Sequence, residues 1–296
     1  AFAGGPLTLS TVYEQSTIGP GSCSTLRFDI ANGSGVPNRD IAFVDNLPVG
    51  VTIAFPSAVE NNCGAGSSVS APSGGSTIEL TGGQLPGESS CIIRVNVTSH
   101  AVPAPGVPVV HTNTTGSLTS SEGSSGTATA DLTVTADQPG FSKSFSPSTI
   151  SEGQTSRLTL TIDNSLNPNG LGGLSLRDVL PAGMTIASPA NLQNDCGNPV
   201  ALPIVTAVPG TSVISFFANG FLPTFPTLAA GASCTTSVDV TVDTAGTFGN
   251  VTDPLAIVGT PVGKASAVLN VPRGFLTKTY LDNPAAPGDE VSLQFM

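Results

Sequence analysis

Alternation of apolar and polar residues is the strongest signal in the chain. Ser156-Arg157-Leu158-Thr159-Leu160-Thr161-Ile162-Asp163 sets Leu158, Leu160 and Ile162 on one side of an extended segment, the period of a half-buried strand. A shorter alternating run at 141–145 predicts a strand before it, ended by the break Ser146-Pro147. Further strands are predicted at 174–180, 184–186, 213–217, 234–242 and 265–271, with 249–252 in or beside an additional short one. Seven or so short strands separated by turn residues predict an antiparallel β-sandwich, with an Ig-like Greek key as first choice. The core Trp of antibody-type domains is absent, since the chain has no Trp.

This pattern occurs twice and begins a third time. Asp45-Asn46-Leu47-Pro48-Val49-Gly50-Val51-Thr52-Ile53 returns as Asp178-Val179-Leu180-Pro181-Ala182-Gly183-Met184-Thr185-Ile186, an offset of 178 − 45 = 133 residues. Asn61-Asn62-Cys63-Gly64 likewise returns as Asn194-Asp195-Cys196-Gly197. Gly140-Phe141-Ser142-Lys143-Ser144-Phe145 is echoed by Gly274-Phe275-Leu276-Thr277-Lys278-Thr279-Tyr280, and Leu158-Thr159-Leu160 by Leu293-Gln294-Phe295. The expected fold class is therefore all-β: tandem Ig-like sandwiches over 1–137 and 138–272, then 273–296 as the first strands of a third repeat, truncated or incompletely traced. Short, Pro-containing junctions at Ala136-Asp137-Gln138-Pro139 and Asn270-Val271-Pro272-Arg273 predict a semi-rigid array.

Composition removes several function classes. Gly 34 and Pro 25 with only 10% charged residues describe a turn-rich β protein, and 39% hydrophobic content is enough for one core per repeat. A net charge of −11 lacks the basic footprint of a nucleic-acid binder and discourages docking on anionic membranes. No apolar run reaches the ~18 residues that a spanning helix needs, so no membrane span is expected in this segment.

Four of the 5 cysteines recur in register, Cys63 with Cys91 and Cys196 with Cys234, and one disulfide per repeat is the simplest pairing. Such bonds persist in oxidising compartments, which implies export. Short Cys-x-x-Cys spacing is missing, so a zinc site is not expected. Cys23 is left over, with Thr155 at its place in the second copy. It is either an inert buried thiol or one half of an intermolecular or inter-domain disulfide.

The segments Phe-Ser-Lys-Ser-Phe-Ser-Pro (141 to 147), Leu-Thr-Leu-Thr-Ile-Asp-Asn (158 to 164), Leu-Pro-Ala-Gly-Met-Thr-Ile (180 to 186) and Gly-Thr-Phe-Gly-Asn-Val-Thr (246 to 252) resemble the repeat called domain of unknown function eleven, and its relatives. The second copy matches throughout and the first less closely. The resemblance implies an Ig-like sandwich strung in tandem along large secreted or cell-surface proteins, mostly bacterial. It brings no catalytic residues.

Candidate chemistry is sparse. Asp239 with Asp243, or Asp289 with Glu290, are paired carboxylates, but Asn96 and His100 stand at the first-repeat positions of Asp239 and Asp243. Repeat-wide calcium is therefore not expected. His100 and His111 have no counterpart in the second copy and give no base to a Ser or Thr nucleophile. Neither catalysis nor a cofactor is expected. Sequons at Asn32, Asn96, Asn113 and Asn250 matter only in a host that glycosylates asparagine. One covalent possibility is a Lys143 to Asn250 isopeptide link with Asp178 in support; Thr11 replaces the lysine in the first copy. The sequence favours the plainer reading, an exposed strand lysine blunting a sheet edge.

These observations together predict a structural repeat module of an exported surface protein, expected to be bacterial, that forms a stalk or extracellular fibre. Its expected partners are neighbouring repeats, and other copies of the chain if a terminal strand is donated between subunits. The alternative is an adhesin whose dissimilar loops, 187–209 and 62–72, bind glycan or protein.

Overall fold

The structure is a computed structural model, which describes residues 7–196, 204–217, 228–274, 278–281 and 284–295. All regular structure among the described residues is β. In the first repeat the strands are β1 (Thr8–Tyr13), β2 (Cys23–Asn32), β3 (Asn38–Asn46), β4 (Val51–Ile53), β5 (Ser89–Ser99), β6 (Val109–Thr114) and β7 (Thr129–Val134). The second repeats them as β8 (Gly140–Ser146), β9 (Thr155–Asp163), β10 (Leu174–Val179), β11 (Met184–Ile186), β12 (Ser233–Val242), β13 (Gly246–Val251) and β14 (Ser266–Val271).

One layer has the order β1-β2-β5-β4 in the first repeat and β8-β9-β12-β11 in the second, antiparallel throughout. These are the first, second, fifth and fourth strands, the ABED sheet of an immunoglobulin sandwich. The opposing layer is split. Strands β6 and β7 pair antiparallel and Thr17–Ile18 adds to β7 in parallel; β13 pairs β14, where Thr149 bridges Asn270 in the same parallel sense. The third strand of each repeat sits between two added hairpin strands, Thr77–Leu85 and Thr119–Ser120 around β3, Val213–Phe217 and Leu255–Ile257 around β10. The chain is thus two tandem Ig-like sandwiches.

Burial follows the alternation. Leu158, Leu160 and Ile162 all face the core, as do Leu26, Phe28 and Ile30 at the matching positions of β2. Burying a residue of this size is worth roughly 1.5–3 kcal/mol, so these inward rows fix the register of both sandwiches. The hairpin Leu255–Ile257 with Thr260–Gly263 falls in a stretch holding Pro254, Gly259 and Pro261 where the sequence predicts no strand. Its inward Leu255 and Val262, 0% and 3% exposed, supply the burial that outweighs poor strand propensity.

Beyond the second sandwich, β15 (Lys278–Tyr280) pairs antiparallel with β16 (Leu293–Phe295). Lys278 is opposite Phe295 just as Lys143 is opposite Leu160, so the backbone repeats the β8 to β9 register. Phe275, Leu276 and Thr277, part of the sequence echo, lie outside the described residues, as does 197–203 of the dissimilar loop.

Candidate functional site

The second sandwich buries an ion pair. On β8 the inward positions read Phe141, Lys143, Phe145, so the lysine occupies a core position between two aromatic residues. On β10 they read Leu174, Leu176, Asp178. Lys143 Nζ lies 2.6 Å from Asp178 Oδ2, and neither side chain has any exposed surface. The plainer reading of Lys143 as an exposed edge residue is therefore overturned: β8 is an edge strand, but its alternation turns the lysine inward.

Asn250, on β13 and 1% exposed, donates from Nδ2 to the same Asp178 oxygen at 3.3 Å. A lysine, a carboxylate and a carboxamide from the first, third and sixth strands thus converge on one oxygen. Satisfaction is incomplete. Asp178 Oδ1 and Asn250 Oδ1 have no hydrogen-bond partner, and Lys143 Nζ has no partner beyond its ion-pair contact with Asp178. Burial is the main cause that lowers the Lys143 pKa, from 10.5 to about 8, with Asp178 acting in the opposite sense.

The first sandwich keeps two of the three groups. Asn113 on β6 donates to Asp45 Oδ2 at 2.8 Å, both residues wholly buried. Thr11 takes the lysine's place on β1, opposite Phe28, and hydrogen-bonds the Arg27 carbonyl oxygen. Burial raises the Asp45 carboxyl above its ordinary range and the Asn113 bond lowers it by less. The neighbouring Tyr13 hydroxyl is buried without a partner.

Each repeat holds one disulfide, Cys63 to Cys91 and Cys196 to Cys234, with Cα atoms 4.9 Å apart in both. A two-residue strand just before the loop cysteine, Glu60–Asn61 or Gln193–Asn194, pairs with β5 or β12 and lays one sulfur beside the other. Cys196 and Cys234 also stand close to Asp195, but sulfurs bonded to each other are not metal ligands.

Cys23 sits at the junction between repeats and is 5% exposed. Its backbone exchanges two 2.8 Å hydrogen bonds with Lys264, and its Sγ lies 3.3 Å from Ser266 Oγ. Lys264 Nζ donates to Thr25 Oγ1 at 2.7 Å, and Ser22 Oγ accepts from the Phe141 backbone N–H at 2.9 Å. The end of the first sandwich where β2 starts and β5 finishes therefore meets the end of the second where β8 and β14 start. A Cβ at Gly19 would fall 1.9 Å from the Pro139 carbonyl oxygen, so the backbones touch. The thiol is buried here and lines the junction cleft with His100 and Ser266.

Three of the remaining candidates, Asp239, Asp289 and His111, have ordinary partners. Asp239 accepts from Arg157 at 3.1 Å and from Asn191 at 2.7 Å, and Asp289 accepts from the Ala286 backbone at 2.7 Å. His111 lies 3.1 Å from Ser99 Oγ inside the first sandwich. The sequon residues Asn32, Asn96, Asn113 and Asn250 are all buried, which closes them to glycan attachment.

Both sandwiches match one family model, described as a domain of unknown function (DUF7933), over residues 7–134 and 139–271. The chain belongs to that family. The match establishes tandem copies of DUF7933, and does not extend to the domain-of-unknown-function-eleven type that the motifs resemble. No curated protein matches the sequence. Among solved structures, the chain is similar to the C-terminal domain of the AgI/II polypeptide BspA of Streptococcus agalactiae, at 13% identity and TM-score 0.34, covering 90% of this chain and 100% of that one. It is also similar to the collagen adhesin CNA of S. aureus, at 12% identity and TM-score 0.30 over 99% of this chain and 94% of that one. The Enterococcus faecalis MSCRAMM ACE, described as binding its ligands by the collagen hug model, has 13% identity and TM-score 0.31 over 92% and 96%. At TM-scores of this size no residue role or activity transfers from these proteins to DUF7933.

Proposed function

We propose that the chain is a structural module of an exported cell-surface protein, a stalk segment that sets a fixed spacing by stacking sandwiches end to end. The observation that carries this reading is the bonded junction. Lys264 and Cys23 join the two sandwiches through paired backbone hydrogen bonds, Phe141 bonds Ser22, and Gly19 and Gly140 let the backbones touch. A flexible linker would need none of these contacts. One disulfide per repeat supports an oxidising, extracellular setting, and repetition at whole-domain period supports length or spacing over a single active site.

Small-angle scattering and electron microscopy of the two-repeat chain test this. A single interdomain distance, unchanged when loop 62–72 is exchanged for a neutral sequence that keeps Cys63, supports a spacer. A broad distribution of distances sinks it. Loss of binding to a glycan or matrix-protein array on that loop exchange would favour the adhesin reading instead.

A further inference from the structure

We infer that Lys143 and Asn250 are joined by an intramolecular isopeptide bond, Nζ to Cγ, which the folded second sandwich forms by itself with Asp178 carrying the proton. The inference stands on the arrangement of three buried groups and goes beyond the stalk reading without depending on it.

Asp178 Oδ2 touches both the nitrogen that would attack and the nitrogen that would leave, at 2.6 Å from Lys143 Nζ and 3.3 Å from Asn250 Nδ2. A shared oxygen at those distances holds the two nitrogens within about 6 Å of each other in a site closed to solvent, the proximity that replaces a bimolecular encounter. Lys143 passes a proton to Asp178, and burial, which already draws the lysine down to about 8, lowers the cost of that transfer. The free amine attacks Asn250 Cγ and forms a tetrahedral centre. Asp178 returns that proton to Nδ2 and takes the surplus proton from the attacking nitrogen, the Cγ–Nδ2 bond breaks, and ammonia departs, leaving Asp178 protonated. The balance is one amine and one carboxamide giving one secondary amide and one ammonia, with no oxidant or further reactant.

The three groups as they stand are a poor structural device. A buried ion pair beside two orphaned acceptor oxygens carries a desolvation cost that an apolar trio of similar volume would avoid. Amide formation removes the buried charge. It also ties β8 to β13 across the sandwich and closes a loop of 250 − 143 = 107 residues.

Intact mass spectrometry of the full chain after reduction of the disulfides is the test. The expected result is a mass about 17 Da, one ammonia, below that of the sequence, with tandem spectra placing Lys143 and Asn250 in one branched peptide. Lys143→Met, Asn250→Ala and Asp178→Asn should each restore the full mass. A full mass in wild-type chain that has formed both disulfides and unfolds cooperatively overturns the inference without recourse to any variant. So does an ammonia loss that maps to a single linear peptide, as a cyclised Asn-Gly pair such as Asn32-Gly33 would give.

Discussion

Asp45 and Asp178 occupy the same inward position on the third strand of their sandwiches, and each takes a hydrogen bond from the asparagine of the sixth strand, Asn113 or Asn250. They differ in what the first strand offers them. Lys143 reaches Asp178, whereas Thr11 is bonded to its neighbouring strand and Tyr13 presents an unpartnered hydroxyl. The first sandwich therefore carries the acceptor half of the site without the amine.

Placing an amine at that position should complete it. Thr11→Lys is expected to lower the reduced mass by about 34 Da in total, two ammonia losses, with the new branch joining the introduced amine to Asn113. A folded variant showing only the loss from the second repeat would mean that the Asp-Asn pair is not sufficient once an amine is supplied.

Tyr13→Phe tests the same pocket by subtraction. The hydroxyl is buried without a partner, and burial beside Asp45 pushes its pKa up, so the phenol gains nothing from its polar atom. Removing an unsatisfied buried hydroxyl should stabilise the first sandwich by about 1 kcal/mol. Denaturant midpoints of the two proteins give the comparison, and a loss of stability would reveal a hydrogen bond to that oxygen.

Much of this was legible in the sequence. The β9 pattern and the 133-residue offset gave strands and repeats, because inward burial and the alternation coincide. The site was half legible. Lys143, Asp178 and Asn250 each stand at a core position, yet in sequence a charged strand residue reads as outward, and only the register Phe141-Lys143-Phe145 hints otherwise. The flanking hairpin of β10 and the contacts of Cys23 were not legible. Pro and Gly mask short strands, and a junction is built from residues more than 200 positions apart, such as Cys23 and Lys264.

The cross-link has a thermodynamic signature. Closing a 107-residue loop (250 − 143) removes chain entropy from the unfolded state, worth about 5 kcal/mol by the relation used for disulfides. Asn250→Ala should lower the thermal midpoint of the second sandwich by about 10 °C or more, while the first keeps its own transition. Calorimetry distinguishes this from a mere packing change. Lys143→Met, which also prevents the bond, should land near the same midpoint if the lost link dominates.

Without the link, pH exposes the buried lysine. In Asn250→Ala, Lys143 releases its proton at about 8 in the folded chain against an ordinary 10.5 when unfolded. Between those values the unfolded chain binds more protons, so stability rises with pH across that window and is flat below it. The gain should be about 3 kcal/mol, and it should vanish in Asn250→Ala/Lys143→Met. Asp178 faces the lysine within the sandwich, and Cys23 and His100 line the same junction cleft, so the double variant serves as the reference that cancels their titrations. An equal slope in both proteins would refute the lysine as its source.

The junction makes Cys23 a reporter of how firmly the sandwiches are joined. Burial raises its thiol pKa and outweighs the bonds from Ser266 and Thr98, so the sulfur is both hidden and poorly ionised while the contact holds. Gly19→Ala adds a methyl 1.9 Å from the Pro139 carbonyl oxygen, which backbone on both sides cannot absorb, so the ends must separate. In wild-type chain a water-soluble disulfide reagent should label Cys23 only on the timescale of global unfolding. In Gly19→Ala labelling should speed up at least tenfold, with circular dichroism and both native disulfides unchanged. Equal rates in the two proteins would mean that the first sandwich alone shields the thiol, and that the fixed spacing must rest on contacts other than those around Gly19 and Pro139.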